Sequence, residues 1–506
     1  MNKIIERINN VTKKNPTQLA YKNGSETKTY QDLSDYSNKV AKFLDSELSD
    51  NDQPVIVFGG QQFEMLAIFL GSIKSGHAYI PVDESSDPSR IQQINNVAKP
   101  ALILNWSDLT EFDVETPVID KKKLNDIFSS DYSTYTEDHS VADDENFYII
   151  FTSGTTGTPK GVQISTLNLI DFVDWVNQEF QYHEDDNVML QAPFSFDLSV
   201  FSIYPALTNG ATLEILDKSV TGNFAKLQES LKNSEFNVWV STPSFFELCC
   251  LFPDFKGESM PNLQKFIFCG EELTHAAAKK VLNKFPNAKL YNTYGPTENT
   301  VAITSIEITP EVLENYDRLP IGYLKDNMDY KIQDSQSDDN GLEVGELLVN
   351  GPDVSKGYIN NPEQTEKAFE NISGETFYHT GDMIARDSDG LLFYRGRTDF
   401  QVKMHGYRIE LEEIDALLGN LVEVKQSSTV PLYDSDHKVK KLIAYVVLES
   451  DMQEQDAEEL SLKLKEDLKK TTMDYMIPNV FRFVDSLPIT SNGKIDRKAL
   501  IGTVNA

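Results

Sequence analysis

A stretch rich in glycine, serine and threonine, FTSGTTGTPKGVQIS, occupies residues 151–165 and surrounds Lys160. Hydroxyl groups and backbone N–H groups gathered in such a loop can hold the oxygens of a polyphosphate. The stretch does not fit the P-loop pattern G-x-x-x-x-G-K-[ST], because Pro159 stands in place of the second glycine and Gly161 follows the lysine. By itself, a loop of this composition also fits a simple hairpin turn.

The segments on both sides of this loop are predicted to be strands. FYIIF at 147–151 and VQI at 162–164 are rich in aromatic and β-branched residues. No helix N-terminus is therefore expected to face the loop. A phosphate bound here would depend on the loop's own N–H and hydroxyl donors.

Asp197 lies in an otherwise apolar and aromatic stretch, PFSFDLS. A carboxylate in such surroundings costs free energy unless a cation or hydrogen-bond donors compensate its charge. One interpretation is that Asp197 binds the ammonium group of a substrate. The other is that it caps the N-terminus of a helix formed by LSVFSIYPAL.

The composition is that of a globular protein with more than one domain. The chain has 506 residues, of which 40% are hydrophobic and 25% charged, and its net charge is −33. Such an acidic balance argues against binding to nucleic acid, which requires a basic surface. No secretory signal and no apolar run approaching the ~20 residues of a membrane helix is found. Three cysteines cannot form a disulfide framework, so we expect a cytoplasmic protein.

Helical and strand patterns alternate through most of the chain. Residues 33–44 have the spacing of an amphipathic helix, and short β-rich runs lie at 54–58, 101–104 and 265–269. This alternation predicts an α/β fold with largely buried sheets. Residues 129–146 are predicted to form an exposed connection.

The pattern changes near residue 399. A helix at 410–418, strands near 423–430 and 442–448, a second helix and a strand at 480–484 predict a compact α+β unit of about a hundred residues. We therefore predict two domains, residues 1–398 and residues 399–506. Before this boundary, the polar run DSQSDDNG is predicted to be a turn between two strands.

Eight motifs occur in the order typical of the adenylate-forming superfamily, which includes acyl-CoA synthetases, luciferases and the adenylation domains of peptide synthetases. They are KSGHAYIPVD (74–83), FTSGTTGTPKGV (151–162), FSFDLSV (194–200), NTYGPTE (292–298), GELLVNGPDVSKGY (345–358), YHTGD (378–382), YRGRTDFQVKMHGYRIELEEI (394–414) and NGKIDR (492–497). The chain thus resembles this superfamily over nearly its whole length. The resemblance implies a large, multi-sheet adenylation domain followed by a small, mobile α+β domain.

The resemblance also assigns residues to ATP. Tyr294 matches the ring that stacks on adenine, Asp382 matches the carboxylate that binds the ribose hydroxyls, and Arg397 adds donors nearby. The expected ATP-binding residues are Thr152, Ser153, Asn292, Thr293, Tyr294, Gly295, Pro296, Thr297, Asp382, Tyr394, Arg395, Gly396, Arg397 and Lys494.

Formation of an acyl adenylate brings a carboxylate onto the α-phosphate of ATP, so two anions must meet. At ~4 Å, two unit charges repel by ~1 kcal/mol in water and by ~4 kcal/mol at an effective dielectric constant near 20. Lys494 matches the family's catalytic lysine, which contacts both the substrate carboxylate and the α-phosphate. Thr152 and Glu298 complete the expected catalytic set, and Glu298 matches the ligand of Mg²⁺.

The amino-acid pocket is expected around Asp197, Cys269, Val301 and Lys494. In amino-acid-activating relatives, the aspartate that matches Asp197 holds the α-ammonium group of the substrate. Cys269 stands where many superfamily members have glycine, so its side chain would narrow the pocket to suit alanine. Cys269 also fits ordinary packing at the end of a strand.

Over its full length the chain is most similar to the enzymes that load D-alanine onto a carrier protein for teichoic-acid alanylation. This implies a ligase that uses ATP and Mg²⁺ to form D-alanyl-AMP. The alanyl group would then pass to the phosphopantetheine thiol of a D-alanyl carrier protein. The small domain would rotate about Asp399 between the two steps, and no membrane insertion or nucleic-acid partner is expected.

Three alternatives stay open at this point. The chain could be another acyl- or amino-acid-adenylating enzyme such as an acyl-CoA synthetase, an inactive protein that keeps the fold, or a domain cut from a peptide synthetase. Asp197 argues against the first, and the intact Lys494 and Glu298 argue against the second. The end of the chain shortly after NGKIDRKALIGTVNA argues against the third.

Overall fold

The computed structural model describes residues 2–48, 52–86, 88–109, 111–131, 135, 139–153, 159–434, 437–449, 456–489 and 495–505. Helices and strands alternate through these residues. The α-helices, in chain order, are α1 (Lys3–Lys14), α2 (Tyr30–Glu47), α3 (Phe63–Lys74), α4 (Pro88–Ala98), α5 (Lys121–Phe128), α6 (Thr166–Phe180), α7 (Leu198–Asn209), α8 (Lys218–Thr221), α9 (Phe224–Asn233), α10 (Pro243–Cys249), α11 (His275–Lys284), α12 (Pro310–Asn315), α13 (Pro362–Ala368), α14 (Leu411–Gly419), α15 (Ala457–Lys469) and α16 (Arg497–Val504).

The strands are numbered in the same way. They are β1 (Leu19–Asn23), β2 (Glu26–Thr29), β3 (Val55–Gly59), β4 (Tyr79–Asp83), β5 (Leu102–Asn105), β6 (Val118–Ile119), β7 (Asn146–Thr152), β8 (Lys160–Ser165), β9 (Asn187–Leu190), β10 (Thr212–Ile215), β11 (Val238–Ser241), β12 (Lys265–Phe268), β13 (Lys289–Tyr294), β14 (Thr304–Glu307), β15 (Tyr323–Leu324), β16 (Asp329–Ser337), β17 (Glu343–Asn350), β18 (Phe369–Ile372), β19 (Glu375–Arg386), β20 (Leu392–Arg397), β21 (Gln401–Met404), β22 (Tyr407–Glu410), β23 (Val424–Tyr433), β24 (Val439–Leu448) and β25 (Val480–Phe483).

The chain forms two compact units. The large unit comprises Met1–Ser85, Asn95–Phe151 and Gly161–Thr398, and the small unit comprises Ser86–Ile94, Thr152–Lys160 and Asp399–Ala506. The main division thus falls between Thr398 and Asp399.

The large unit is built on three sheets. One has the strand order β15-β14-β13-β12-β11-β9-β10-β1-β2, in which the strands from β13 to β1 run parallel and the strands at both ends run antiparallel. The second has the order β6-β5-β3-β4-β7-β8, and the third contains β16 to β20. The central parallel strands are buried over all or nearly all of their length, as expected when both faces of a sheet are covered.

The helices that flank the site begin with side-chain caps or pack through apolar faces. Ser165 and Asn168 form a capping box at the start of α6, which fixes the direction of this helix. In α2, the predicted apolar face is present, with Leu33, Val40 and Leu44 buried. The predicted α/β fold with a large multi-sheet part is therefore confirmed.

The small unit has its own apolar core. Strands β23, β24 and β25 form one sheet, and β21 pairs with β22. Leu460, Leu464 and Leu468 of α15 are buried in this core, as their helical spacing predicts. The predicted α+β character of the C-terminal region is confirmed.

Two local predictions are confirmed only in part. The segment 129–146 is not simply an exposed connection, because Val141 is 1% exposed within the large apolar core. The predicted turn at 334–341 is shorter than expected, since β16 continues to Ser337. The strand can continue through polar residues such as Gln333 and Gln336, because it lies at the edge of the sheet and one of its faces is exposed to solvent.

Within the described parts of the chain, no helix is both long enough and apolar enough to cross a bilayer.

Candidate active site

Several predicted site residues follow the carboxyl ends of parallel strands in one sheet. Cys269 follows β12, and the segment that begins at Gly295 follows β13. Asp197 lies in the connection between β9 and α7. Ligands in open α/β sheets bind outside these strand ends. The fold therefore brings residues from distant motifs to one edge.

Asp382 is held between two predicted ATP-binding residues. The Tyr294 hydroxyl donates to Asp382 Oδ2 at 2.5 Å, and Arg397 Nη1 donates to Asp382 Oδ1 at 2.6 Å. The pairing of β19 with β20 places Asp382 directly opposite Arg397. Burial, and next the charge of Asp382, raise the pKa of the Tyr294 phenol well above its usual value, so the hydroxyl remains a donor. The two bonds fix the orientation of a buried carboxylate that can accept hydrogen bonds from hydroxyl groups of a ligand.

The neighbouring predicted ATP residues take different positions. Tyr394 packs with Tyr294 in one apolar cluster, and the Arg318 guanidinium lies 5.6 Å from the Tyr394 ring centre. Arg395 is exposed and its guanidinium lies 4.0 Å from Asp338, so it does not join the Asp382 group in this structure. Gly396 lies between the two arginines on β20.

Asp197 contacts the segment that follows β13. The Thr297 hydroxyl donates to Asp197 Oδ2 at 2.6 Å, and both residues are half-buried. Asp197 occupies the N-cap position of α7 but makes no side-chain cap bond, and its backbone is already helical at φ −60° and ψ −27°. An N-cap normally has extended backbone and accepts from the first turn of the helix. The interpretation of Asp197 as a helix cap is therefore wrong.

Cys269 and Val301 lie side by side. The Cys269 Sγ atom is 3.8 Å from the Val301 carbonyl oxygen, and both residues are nearly fully buried. Val301 has φ +74° and the preceding Thr300 has φ +49°. A β-branched residue at positive φ is strained and persists only where the surroundings hold it.

Glu298, the predicted Mg²⁺ ligand, is fully buried next to Tyr358. The Tyr358 hydroxyl donates to Glu298 Oε1 at 2.8 Å. Tyr358 was not predicted to take part in the site, although it ends the quoted motif GELLVNGPDVSKGY. The motif could have pointed to Tyr358 as a site residue, but it gave no indication that Tyr358 contacts Glu298.

The strand leaving the predicted phosphate loop leads to this pair. Val162 of β8 forms an antiparallel bridge with Tyr358, and Ile359 N donates to the Gly161 carbonyl at 2.9 Å. A Cβ atom on Gly161 would lie 2.7 Å from the side chains of Ile359 and Phe151, so only glycine permits this approach. Strand β8 is thus joined to Glu298 through Tyr358.

The rest of the phosphate loop is described in part. Thr152 ends β7, and the Ser153 hydroxyl donates to the Arg408 carbonyl at 2.8 Å within the small unit. Residues 154–158 and Lys494 lie outside the described residues. Ile489 and Ile495, on either side of the Lys494 motif, form an antiparallel bridge.

The donor set suits Mg²⁺ better than a metal held by protein alone. In the part of the chain that the structure describes, no group of three His, Cys, Asp or Glu side chains could hold a metal ion. Mg²⁺ commonly takes one or two carboxylates and completes its shell with substrate phosphates and water. A single buried carboxylate such as Glu298 fits that arrangement.

Sequence profiles of known families match both units. The AMP-binding enzyme family matches residues 8–359, and the AMP-binding enzyme C-terminal domain matches residues 413–494. This chain belongs to the AMP-binding enzyme family. The superfamily resemblance and the fold predicted from the motifs are thereby confirmed.

Individual relatives are similar in sequence to this enzyme over nearly its whole length. It is 49% identical over 505 residues to a D-alanine–D-alanyl carrier protein ligase of Lactiplantibacillus plantarum, covering 99% of each chain. It is 46% identical over 489 residues to a protein of the same name from Streptococcus agalactiae serotype V, covering 95% of each chain.

Solved structures share the fold. The Vibrio cholerae adenylation domain AlmE, in complex with glycyl-adenosine-5′-phosphate, superposes with a TM-score of 0.79 at 23% identity, covering 100% of this chain and 98% of that one. The o-succinylbenzoate CoA synthetase of Bacillus subtilis gives a TM-score of 0.82 at 19% identity, covering 98% of each chain. At these identities the structures show the fold alone.

Proposed function

We propose that this enzyme activates D-alanine with ATP and transfers the D-alanyl group to the phosphopantetheine thiol of a D-alanyl carrier protein. The observation that carries the proposal is the contact between Asp197 and Thr297, beside the segment that bears Glu298. This contact supports the proposal because a carboxylate that would bind an α-ammonium group lies beside a segment that would bind phosphate and Mg²⁺. The full-length relatives carry the name of this reaction, and the teichoic-acid context comes with that name.

In the first step a carboxylate oxygen of D-alanine attacks the α-phosphorus of ATP, and the bond to pyrophosphate breaks. Asp197 binds the ammonium group, while Cys269 and Val301 enclose the methyl group. Asp382, oriented by Tyr294 and Arg397, accepts the ribose hydroxyls. Mg²⁺ bound at Glu298 would supply positive charge to the phosphate oxygens.

In the second step the carrier thiol attacks the carbonyl carbon of D-alanyl-AMP. The bond from that carbon to the phosphate oxygen breaks, AMP leaves, and the thiol proton passes to solvent or to a base. Lys494 serves the first step, because its positive charge reduces the repulsion between the substrate carboxylate and the α-phosphate. Residues 399–506, as a mobile domain pivoting at Asp399, would then exchange Lys494 for the thiol.

The first test is an ATP–pyrophosphate exchange panel with D-alanine, L-alanine, glycine and short fatty acids. D-Alanine is expected to support the fastest exchange. Asp197→Asn should lower D-alanine exchange by about 10²-fold or more, because an ion pair with the substrate is removed from a half-buried site. AMP-forming activity with fatty acids instead of amino acids would refute the proposal in favour of an acyl-CoA synthetase.

The matched control is Asp120→Ala. Asp120 caps α5 by accepting from Lys123 N at 2.7 Å and lies on the surface. Its loss should cost about 1 kcal/mol of stability and leave exchange unchanged. Equal exchange by Asp197→Asn and wild type would show that Asp197 does not bind the substrate.

A further inference from the structure

Lys325 and Asp353 form a buried ion pair, and neither residue is among the predicted site residues. Lys325 Nζ lies 2.5 Å from Asp353 Oδ2 and 2.5 Å from Asp171 Oδ2. The side chains of Lys325 and Asp353 are 2% and 0% exposed. Buried ion pairs of this kind are weak evidence for stability, because desolvation opposes their attraction. Their geometric role therefore needs a separate explanation.

The backbone at and near the two partners is hydrogen-bonded to one segment. We call residues Glu298–Ile303 the pocket segment, since it contains Val301. The Thr300 hydroxyl donates to the Asp353 carbonyl at 2.8 Å, and Ser355 N donates to the Glu298 carbonyl at 2.8 Å. At the other end, Lys325 N donates to the Ile303 carbonyl at 2.9 Å.

The pocket segment requires such support. Thr300 and Val301 have consecutive positive φ angles, a strained conformation for residues other than glycine. On its other side, Ala302 packs on Gly295 so closely that a Cβ there would lie 2.5 Å from the Ala302 Cα. The segment is thus packed against Gly295 and hydrogen-bonded to residues of the segments that carry Lys325 and Asp353.

Helix α6 holds the ion pair from a third direction. Asn168 Nδ2 donates to the Pro352 carbonyl at 2.5 Å and to the Val354 carbonyl at 3.1 Å. Asp171, one turn further on the same face, meets Lys325, and Asn327 Nδ2 donates to Asp171 Oδ1 at 2.6 Å. The segments that carry Lys325 and Asp353 are therefore fixed to each other and to one rigid helix.

We propose that Lys325 and Asp353 are positioning residues for amino-acid selection: their ion pair locks the pocket segment with Val301 in its strained conformation against Cys269. The inference rests on the proposed function, because it takes Cys269 and Val301 as the walls of the alanine pocket. When the pair is broken, Val301 can leave positive φ and the pocket widens. Discrimination between D- and L-alanine then falls.

The ATP side of the site is held differently. Asp382 is fixed by Tyr294 and Arg397, whose bonds to its two carboxylate oxygens are 2.5 and 2.6 Å long. Substitutions that touch no ligand commonly change a coupled site by about 2- to 30-fold. Breaking the pair should therefore raise KM for D-alanine and lower the D- to L-alanine ratio of kcat/KM within that range, with a smaller change in KM for ATP.

The experiment uses the full-length enzyme with Lys325→Met, Asp353→Asn and the double variant Lys325→Met/Asp353→Leu. The double variant removes both buried charges and so guards against misfolding of the single variants. Asp171 loses Lys325 in this variant, but its side chain is 22% exposed and keeps the bond from Asn327. Lys22→Met is the matched control, because Lys22 also lies between two carboxylates, Glu214 at 3.2 Å and Glu235 at 2.7 Å. Exchange rates against D-alanine, L-alanine and ATP give the three KM values.

A purely structural role would lower the melting midpoint and the active fraction without changing the ratio for the two alanines. An unchanged ratio in a folded double variant, together with a changed ratio in Cys269→Ala, would overturn the inference and leave the proposed pocket standing. If Cys269→Ala also leaves the ratio unchanged, the pocket assignment is overturned and the inference with it. A lowered ratio in the pair variants, absent from Lys22→Met, supports the inference.

Discussion

The hydroxyl of Tyr358 provides a sharp test of the role of Glu298. Tyr358→Phe removes one oxygen atom and keeps the ring, which packs 6.0 Å from Phe369 between ring centres. The change therefore removes the 2.8 Å bond to Glu298 Oε1. We expect slower adenylate formation and a higher requirement for Mg²⁺.

The magnitude follows from burial. Glu298 is 0% exposed, so bulk water does not simply replace the lost donor. A hydrogen bond to a charged group is worth about 1.5–3 kcal/mol, which corresponds to about a 10- to 160-fold change in rate at 1.36 kcal/mol for each factor of ten. Loss of a group that orients a metal ligand typically costs about 10- to 100-fold in metal affinity or activity. Both estimates predict a decrease of at least about tenfold.

The assay is ATP–pyrophosphate exchange with D-alanine, repeated over a series of Mg²⁺ concentrations. Tyr135→Phe is a matched control, because the Tyr135 hydroxyl also donates to a carboxylate, Asp45 Oδ2, at 2.6 Å. This control should lose some stability and keep the exchange rate and the Mg²⁺ dependence of wild type. Thermal melting of each variant separates folding from activity.

One result would refute the reasoning. If Tyr358→Phe melts at a lower temperature and still exchanges pyrophosphate at the wild-type rate at every Mg²⁺ concentration, the bond only stabilises the fold. Glu298 would then not depend on Tyr358 for its orientation, and its assignment as the Mg²⁺ ligand would lose its structural support.

Two further predictions concern the reaction. Lys494→Ala should slow D-alanine-dependent exchange by about 10²–10³-fold, as for loss of one strong transition-state donor, and thiolation from preformed D-alanyl-AMP should persist; near-normal exchange would remove Lys494 from the mechanism. Cys269→Ala should raise kcat/KM for L-alanine relative to D-alanine, since the Sγ atom beside the Val301 carbonyl narrows the pocket; radiolabelled exchange with each enantiomer measures this, and an unchanged ratio would assign Cys269 to packing alone.

The sequence was sufficient for the fold, and its motifs supplied the candidate site residues. The strands around the phosphate loop and the apolar face of α2 follow from local patterns with periods of two and 3.6 residues. The family motifs supplied the candidate functional residues because the order of the motifs along the chain does not depend on the contacts that they make. That is why Asp382 and Tyr294 could be assigned to one ligand although they are distant in sequence.

Contacts between motifs could not be predicted in this way. Whether Asp197 capped α7 or met a partner depended on where Thr297 lies, and that position is set by the pairing of β12 with β13. The burial of Lys325 and Asp353 could not be predicted, although Asp353 lies in the motif GELLVNGPDVSKGY. Charged residues in loops are usually exposed, and their burial follows only from tertiary packing. Pairwise contacts of this kind require the coordinates of both partners.

The pocket segment explains how two substrates can be aligned with little freedom. Reaction requires the carboxylate oxygen to approach the phosphorus to within about 3–3.5 Å, and an error of about 1 Å can cost about 10²-fold in rate. In the proposed site, Glu298 serves the nucleotide and Val301 serves the amino acid, and only three peptide units separate them. Their spacing is thus set by backbone held at Glu298, Thr300 and Ile303. Substitutions behind this backbone should therefore disturb the reaction more than substitutions of exposed loop residues nearer the ligands.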